Sequence, residues 1–139
     1  MSTEDSKPFL GHKILIVEDD RDIQFLYKLK LEHEGFEVSV ASDGKEGLML
    51  AKQAIPDVIL LDLLMPEMSG TEMLTAIRKN TWGDKIRVLV LTNISRDEAP
   101  QALRFLHVDR YIVKAHSTPA QIVETIRDVL RKTNTIGST

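Results

Sequence analysis

Four short apolar runs, each closed by a polar residue able to do chemistry, constrain this chain more than anything else in it. Val58-Ile59-Leu60-Leu61 ends at Asp62, Ile14-Leu15-Ile16-Val17 at Glu18-Asp19-Asp20, Ile86 to Leu91 at Thr92-Asn93, and Tyr111-Ile112-Val113 at Lys114. Runs this short and this apolar, bounded by turn residues, read as strands buried on both faces. The segments between them carry apolar residues at helical spacing: Ile23, Leu26, Tyr27 and Leu31, then Leu48, Leu50, Ala51 and Ala54, then Met73, Leu74 and Ile77, and last Ile122, Val123, Ile126, Val129 and Leu130. Phe36 to Val40 alternates apolar and polar, as a sheet-edge strand does.

Strand and helix alternate five times, which calls for an open parallel sheet with helices on both faces. The expected fold is a flavodoxin-like (βα)5 doubly wound sheet of strand order 2-1-3-4-5. Local signals set several boundaries. Asp20 or Asp22 suits a helix N-terminus, where acids are favourable. Asp43-Gly44 is a turn, Pro56 stops a helix, and Gly35 marks a helix C-terminus. Thr118-Pro119-Ala120-Gln121 and Ser95 with Glu98 both resemble capping boxes. Pro100 lies close behind the second, so the helix around Ala102, Leu103 and Leu106 is expected to start late or irregularly.

With 139 residues the chain suits one domain, expected over 12–132, with loose tails at 1–11 and 133–139. It has no cysteine, so disulfides and thiolate sites are excluded. A net charge of -3 with both signs dispersed argues against nucleic-acid binding through bulk charge. No apolar run reaches the ~20 residues of a membrane span, and the polar start is not a signal peptide. The expectation is a cytoplasmic domain, monomeric or weakly associating. His12, His33, His107 and His116 have no ligand spacing and read as surface residues, and Trp82 as a loop residue packing locally.

In open α/β sheets ligands bind beyond the carboxyl ends of the strands, where strand order reverses. In this order that point lies between the strands ending in Glu18-Asp19 and in Asp62. Three carboxylates there would repel one another without a positive partner. Lys114 supplies one, and a hard divalent ion, Mg²⁺ rather than Zn²⁺, is the natural second. A carboxylate beside Mg²⁺, an ammonium and a hydroxyl suits phosphoryl transfer.

Over about residues 12 to 132 the chain resembles a bacterial response-regulator receiver domain. The resemblance rests on Ile14-Leu15-Ile16-Val17-Glu18-Asp19-Asp20, Asp62-Leu63-Leu64-Met65-Pro66-x-Met68-x-Gly70, Val90-Leu91-Thr92 and Tyr111-Ile112-Val113-Lys114. It implies that Asp62 accepts a phosphoryl group from a histidine kinase or phosphotransfer protein. Asp19 would bind Mg²⁺ directly and Glu18 through water, with the Leu64 carbonyl as a further ligand. Thr92 and Lys114 would hold phosphoryl oxygens, and Tyr111 would be the switch aromatic. The chain would act on a downstream protein through the face of the fourth helix, the last strand and the last helix, where Arg104, His107, Arg110 and Tyr111 are candidates. A phosphorylation-dependent homodimer is a further expectation, as is a stand-alone receiver, since the chain stops after its last helix.

Three departures from the family pattern stand out. Ala115 follows the lysine where Pro, often cis, is usual, so the bond is either trans with a remodelled loop or strained. Asn93 follows Thr92 where a small residue is usual, and Leu64 replaces a frequently polar one. Two other readings use the same groups: a binding module independent of phosphate, and a haloacid-dehalogenase-type phosphatase. The phosphatase normally has a second acid two residues after its nucleophile, where this chain has Leu64.

Overall fold

A computed structural model describes residues 9–137, with side chains to residue 132. Five strands, β1 (Lys13–Val17), β2 (Glu37–Ala41), β3 (Val58–Leu61), β4 (Arg87–Thr92) and β5 (Arg110–Val113), form one sheet. All pairings are parallel and the order is β2-β1-β3-β4-β5, as expected. The helices are α1 (Arg21–His33), α2 (Gly44–Ala54), α3 (Gly70–Arg78) and α4 (Pro119–Gly137).

Strand alternation sorts the core into two layers, because successive side chains point to opposite faces. Ile14, Ile16, Val58, Leu60, Leu89 and Leu91 pack with Tyr27 and Leu31 of α1 and with Ile122, Ile126 and Val129 of α4. Leu15, Val17, Ile59, Leu61, Val88 and Val90 pack with Ala51 of α2 and Met73, Leu74 and Ile77 of α3. Each central strand therefore feeds both cores, which is why β1, β3 and β4 are apolar without alternation.

The caps follow local chemistry. Asp20 caps α1 by accepting from the Asp22 and Ile23 N–H groups. Thr118 and Gln121 form the expected capping box at α4 (2.8 and 3.2 Å). A second box, Ser69 with Glu72, opens α3. Its S-x-x-E signature is present in the sequence. Ile55 ends α2 at φ 46°, and Pro56 follows.

Several expectations are corrected. The fourth helix is not an α-helix among the described residues. Two 3-10 turns, Arg96–Glu98 and Gln101–Phe105, take its place, and Pro100 separates them. Ser95 makes no side-chain cap there, so the expected capping box is absent. A three-residue turn leaves no α-helical first turn for its hydroxyl to close. At the N-terminus residues 1–8 lie outside the described residues, but Phe9, assigned to the tail, is buried in the α1/α4 core. Its ring meets the His12 imidazole edge-on at 5.4 Å, and His12 is half-buried rather than on the surface. At the other end the α4 backbone stays helical from 133 to Gly137, where fraying was expected.

Candidate phosphoacceptor site

Register brings the acids together. Val17 pairs with Leu61, so Glu18 and Asp62 are neighbours one step past the paired ends of β1 and β3. The Asp62 N–H still donates to the Val17 carbonyl (3.0 Å), and the Glu18 N–H to that of Ala41 (3.0 Å). Asp62 is 6% and Glu18 4% exposed, far below what unpaired carboxylates tolerate.

Lys114 supplies the compensation. It follows β5, two strands away from β3, and only a long stem can carry its ammonium back across β4. Nζ lies 3.0 Å from Asp62 Oδ2 and 2.5 Å from Glu18 Oε1. Burial raises the pKa of Glu18, and the Asp62 charge adds to that, while Lys114 and the Asp20 N–H (3.0 Å) pull it down without winning. Burial lowers the pKa of Lys114, but its two carboxylate partners outweigh this and raise it above the ordinary lysine value. The ammonium is therefore firmly charged.

Carboxylate oxygens of Glu18, Asp19 and Asp62 lie within 4.8 Å of one another. Three hard oxygen donors, two buried and one exposed, fit a divalent cation such as Mg²⁺ that keeps part of its water shell. Asp62 Oδ1 accepts from the Leu64 N–H (3.2 Å), so the backbone of the following loop is drawn toward the site while the Leu64 side chain is exposed. Gly70 fixes that loop's return: its N–H donates to Leu63, and a Cβ there would overlap the Asp62 carbonyl.

Thr92, fully buried, ends the neighbouring strand, and its hydroxyl accepts from the Ile94 N–H at 3.5 Å. Its hydroxyl does not join the hydrogen-bonded set of Lys114, Glu18 and Asp62. The Tyr111 hydroxyl donates to the Ile94 carbonyl (2.8 Å), which links it to the same loop. Asn93 is exposed. The Lys114-Ala115 bond is trans, since there is no cis peptide among the described residues, and residues Lys114–His116 form a 3-10 turn. On the expected output face Arg104 and His107 are exposed, and half-buried Arg110 pairs with Asp128 at 3.1 Å.

The family model for the response regulator receiver domain matches residues 14–127. The chain belongs to that family. It is 37% identical over 123 residues to a probable transcriptional regulator, ycf27, of Guillardia theta, covering 88% of this chain and 46% of that one. It is 32% identical to the phosphate regulon transcriptional regulatory protein PhoB of Rhizobium meliloti (strain 1021), covering 86% of this chain and 52% of the relative. This receiver thus spans about half the length of those curated relatives. The chemotaxis protein CheY4 of Vibrio cholerae superposes with a TM-score of 0.79 at 31% identity, over 86% of this chain and 98% of that one.

The receiver is the signalling module of the response-regulator family. Two side chains that brace the backbone, the first beside the site and the second away from it, carry no signal in the sequence. Gln24 on α1 binds the backbone behind Glu18, and Arg78 at the end of α3 holds the segment after the 3-10 turns. Both act on main-chain carbonyls, for which no side-chain motif exists.

Proposed function

We propose that this receiver is switched by phosphorylation of Asp62, with a histidine kinase or phosphotransfer protein as donor. The observation that carries the reading is the buried Asp62 carboxylate, held 3.0 Å from the Lys114 ammonium at the mouth of the switch-point crevice and within 4.8 Å of two further carboxylates. Asp62 attacks the donor phosphorus through one oxygen. The bond from phosphorus to the donor nitrogen or oxygen breaks, and the leaving group departs with its electron pair.

Glu18 and Asp19, with Asp62 and the Leu64 carbonyl, would hold Mg²⁺, which when bound neutralises charge on the transferring phosphoryl group. Lys114 exchanges a carboxylate partner for a phosphoryl oxygen. Thr92 turns its hydroxyl from Ile94 toward another, and Tyr111, bonded to that same Ile94, follows the loop. The readout is protein contact through the 3-10 segment, β5 and α4. A cleft of about 650 Å³ opens there beside Arg104, Arg110 and Tyr111, and Phe105 is 80% exposed on the same segment. A homodimer formed on phosphorylation would use that face. Among the described residues no helix is long and apolar enough to cross a membrane, which accords with a cytoplasmic setting.

Intact mass after incubation with acetyl phosphate tests this reading. A single phosphoryl adduct that needs both Mg²⁺ and Asp62, and is lost in Asp62→Asn, is the expected result. Turnover of the donor without an adduct would favour a phosphatase, and neither adduct nor turnover a phosphate-independent binding module.

A further inference from the structure

We infer that Gln24 is a positioning residue for the cation site, an inference that rests on the reading of Glu18, Asp19 and Asp62 as Mg²⁺ ligands. Gln24 lies one helical turn beyond the Asp20 cap of α1, and its N–H donates to the Asp20 carbonyl (3.0 Å). Its carboxamide nitrogen donates to the Glu18 carbonyl and lies 3.4 Å from the Ala41 carbonyl and 3.1 Å from Ser42 Oγ. Carbonyl oxygens only accept, so the NH₂ end must face them.

The contact closes a ring. Glu18 donates its N–H to the Ala41 carbonyl, and Gln24 ties that same carbonyl to the one Glu18 itself presents. Glu18 is thereby held on both sides of its Cα. The Glu18 carbonyl also belongs to the planar peptide shared with Asp19. One carboxamide therefore fixes the peptide plane that joins two of the three acids and aims both side chains at the crevice. Without it, the mutual repulsion of Glu18, Asp19 and Asp62 favours swinging the Glu18-Asp19 peptide outward. Gln24 keeps the carboxylates converged before an ion arrives, at the cost of no charge in the site.

Calorimetric titration of the full chain with MgCl₂ tests the inference, with urea unfolding in Mg²⁺-free buffer to verify the fold. Gln24→Met keeps the side-chain volume and removes the donors. Gln24→Glu keeps length and polarity but presents only acceptors to two carbonyls. Both are expected to weaken Mg²⁺ binding about ten-fold, the low end of what outer-shell partners of metal ligands contribute, with the glutamate the weaker of the two. Glu34→Gln, at the far end of α1, loses stability without touching the site and is expected to bind as wild type does. Binding by both Gln24 variants within two-fold of wild type would overturn the inference alone. So would equal weakening in Glu34→Gln, because the effect would then be general loosening of α1. No binding by wild type would remove the reading of the acids on which the inference stands, and the inference with it.

Discussion

The Lys114 ammonium of the strand-five end and the Asp62 carboxylate of the strand-three end are paired at 3.0 Å, so a counter-charge for the proposed phosphoacceptor is in place before any phosphoryl group is present. The same ammonium holds Glu18 at 2.5 Å, which makes Lys114 the cation shared by two buried acids. Replacing it by Met leaves both uncompensated. Lys114→Met is expected to lower stability by about 2–4 kcal/mol in Mg²⁺-free urea unfolding, since breaking a buried pair strands its partner. Added Mg²⁺ should restore part of that loss. Asp62→Asn keeps the Lys114–Glu18 pair and relieves repulsion between the acids, so it should unfold within about 1 kcal/mol of wild type.

Gly70 lies against the backbone that carries Asp62, and any side chain would collide with the Asp62 carbonyl and the Leu63 Cα. Main chain cannot step aside as a flexible side chain can. Gly70→Ala is therefore expected to cost roughly 2–4 kcal/mol. It should also slow phosphorylation by displacing Asp62, measured as the rate of adduct formation by mass.

Much of this architecture was legible in the sequence, for an identifiable reason. Strands buried on both faces must be short and apolar throughout, so Ile14–Val17 and Val58–Leu61 announce themselves. The first polar residue after each must then sit at the sheet's carboxyl edge, which located Glu18, Asp62, Thr92 and Lys114. Pro100 foretold irregularity in the fourth connection but not that two 3-10 turns would replace the helix. That outcome depends on how the segment packs Leu103 against the sheet. Gln24 and Arg78 were illegible because their partners are carbonyls, which every residue carries. Phe9 was assigned to a tail because the polar residues around it hid a single core anchor.

Arg78 makes a prediction of its own. Its guanidinium donates to the Leu106 (2.7 Å), Gly83 (2.8 Å), Ile86 (2.8 Å) and His107 (2.9 Å) carbonyls, binding the α3–β4 loop to the end of the 3-10 segment. Burial lowers its pKa while Asp109 and Asp84 oppose that shift, and it remains charged. Arg78→Met should cost about 2–4 kcal/mol, because four carbonyls, three of them in part-buried contacts, lose a charged donor. Hydrogen exchange should also quicken across residues 94 to 107.

The pH dependence has a local source. Arg127 holds the Glu34 carboxyl below the usual glutamate range through a hydrogen bond at 2.5 Å that joins the end of α1 to α4. A depressed folded pKa stabilises above the unfolded value and loses that stabilisation as pH falls through the folded one. Wild type should exceed Glu34→Gln by about 1 kcal/mol at pH 7. The gap should close as pH drops below about 4, read from thermal unfolding of both proteins between pH 7 and 3.

The central claim is that Asp62 itself takes the phosphoryl group, and chemical mapping of the adduct tests it most directly. An acyl phosphate is reduced by borohydride, which converts the modified aspartate to homoserine and leaves every unmodified carboxylate intact. Peptide mass mapping after acetyl phosphate and Mg²⁺ should find that conversion at Asp62 and at no other acid. Conversion at Glu18 or Asp19 with Asp62 unchanged, or a phosphoryl group that resists reduction because it sits on a hydroxyl, would contradict the account.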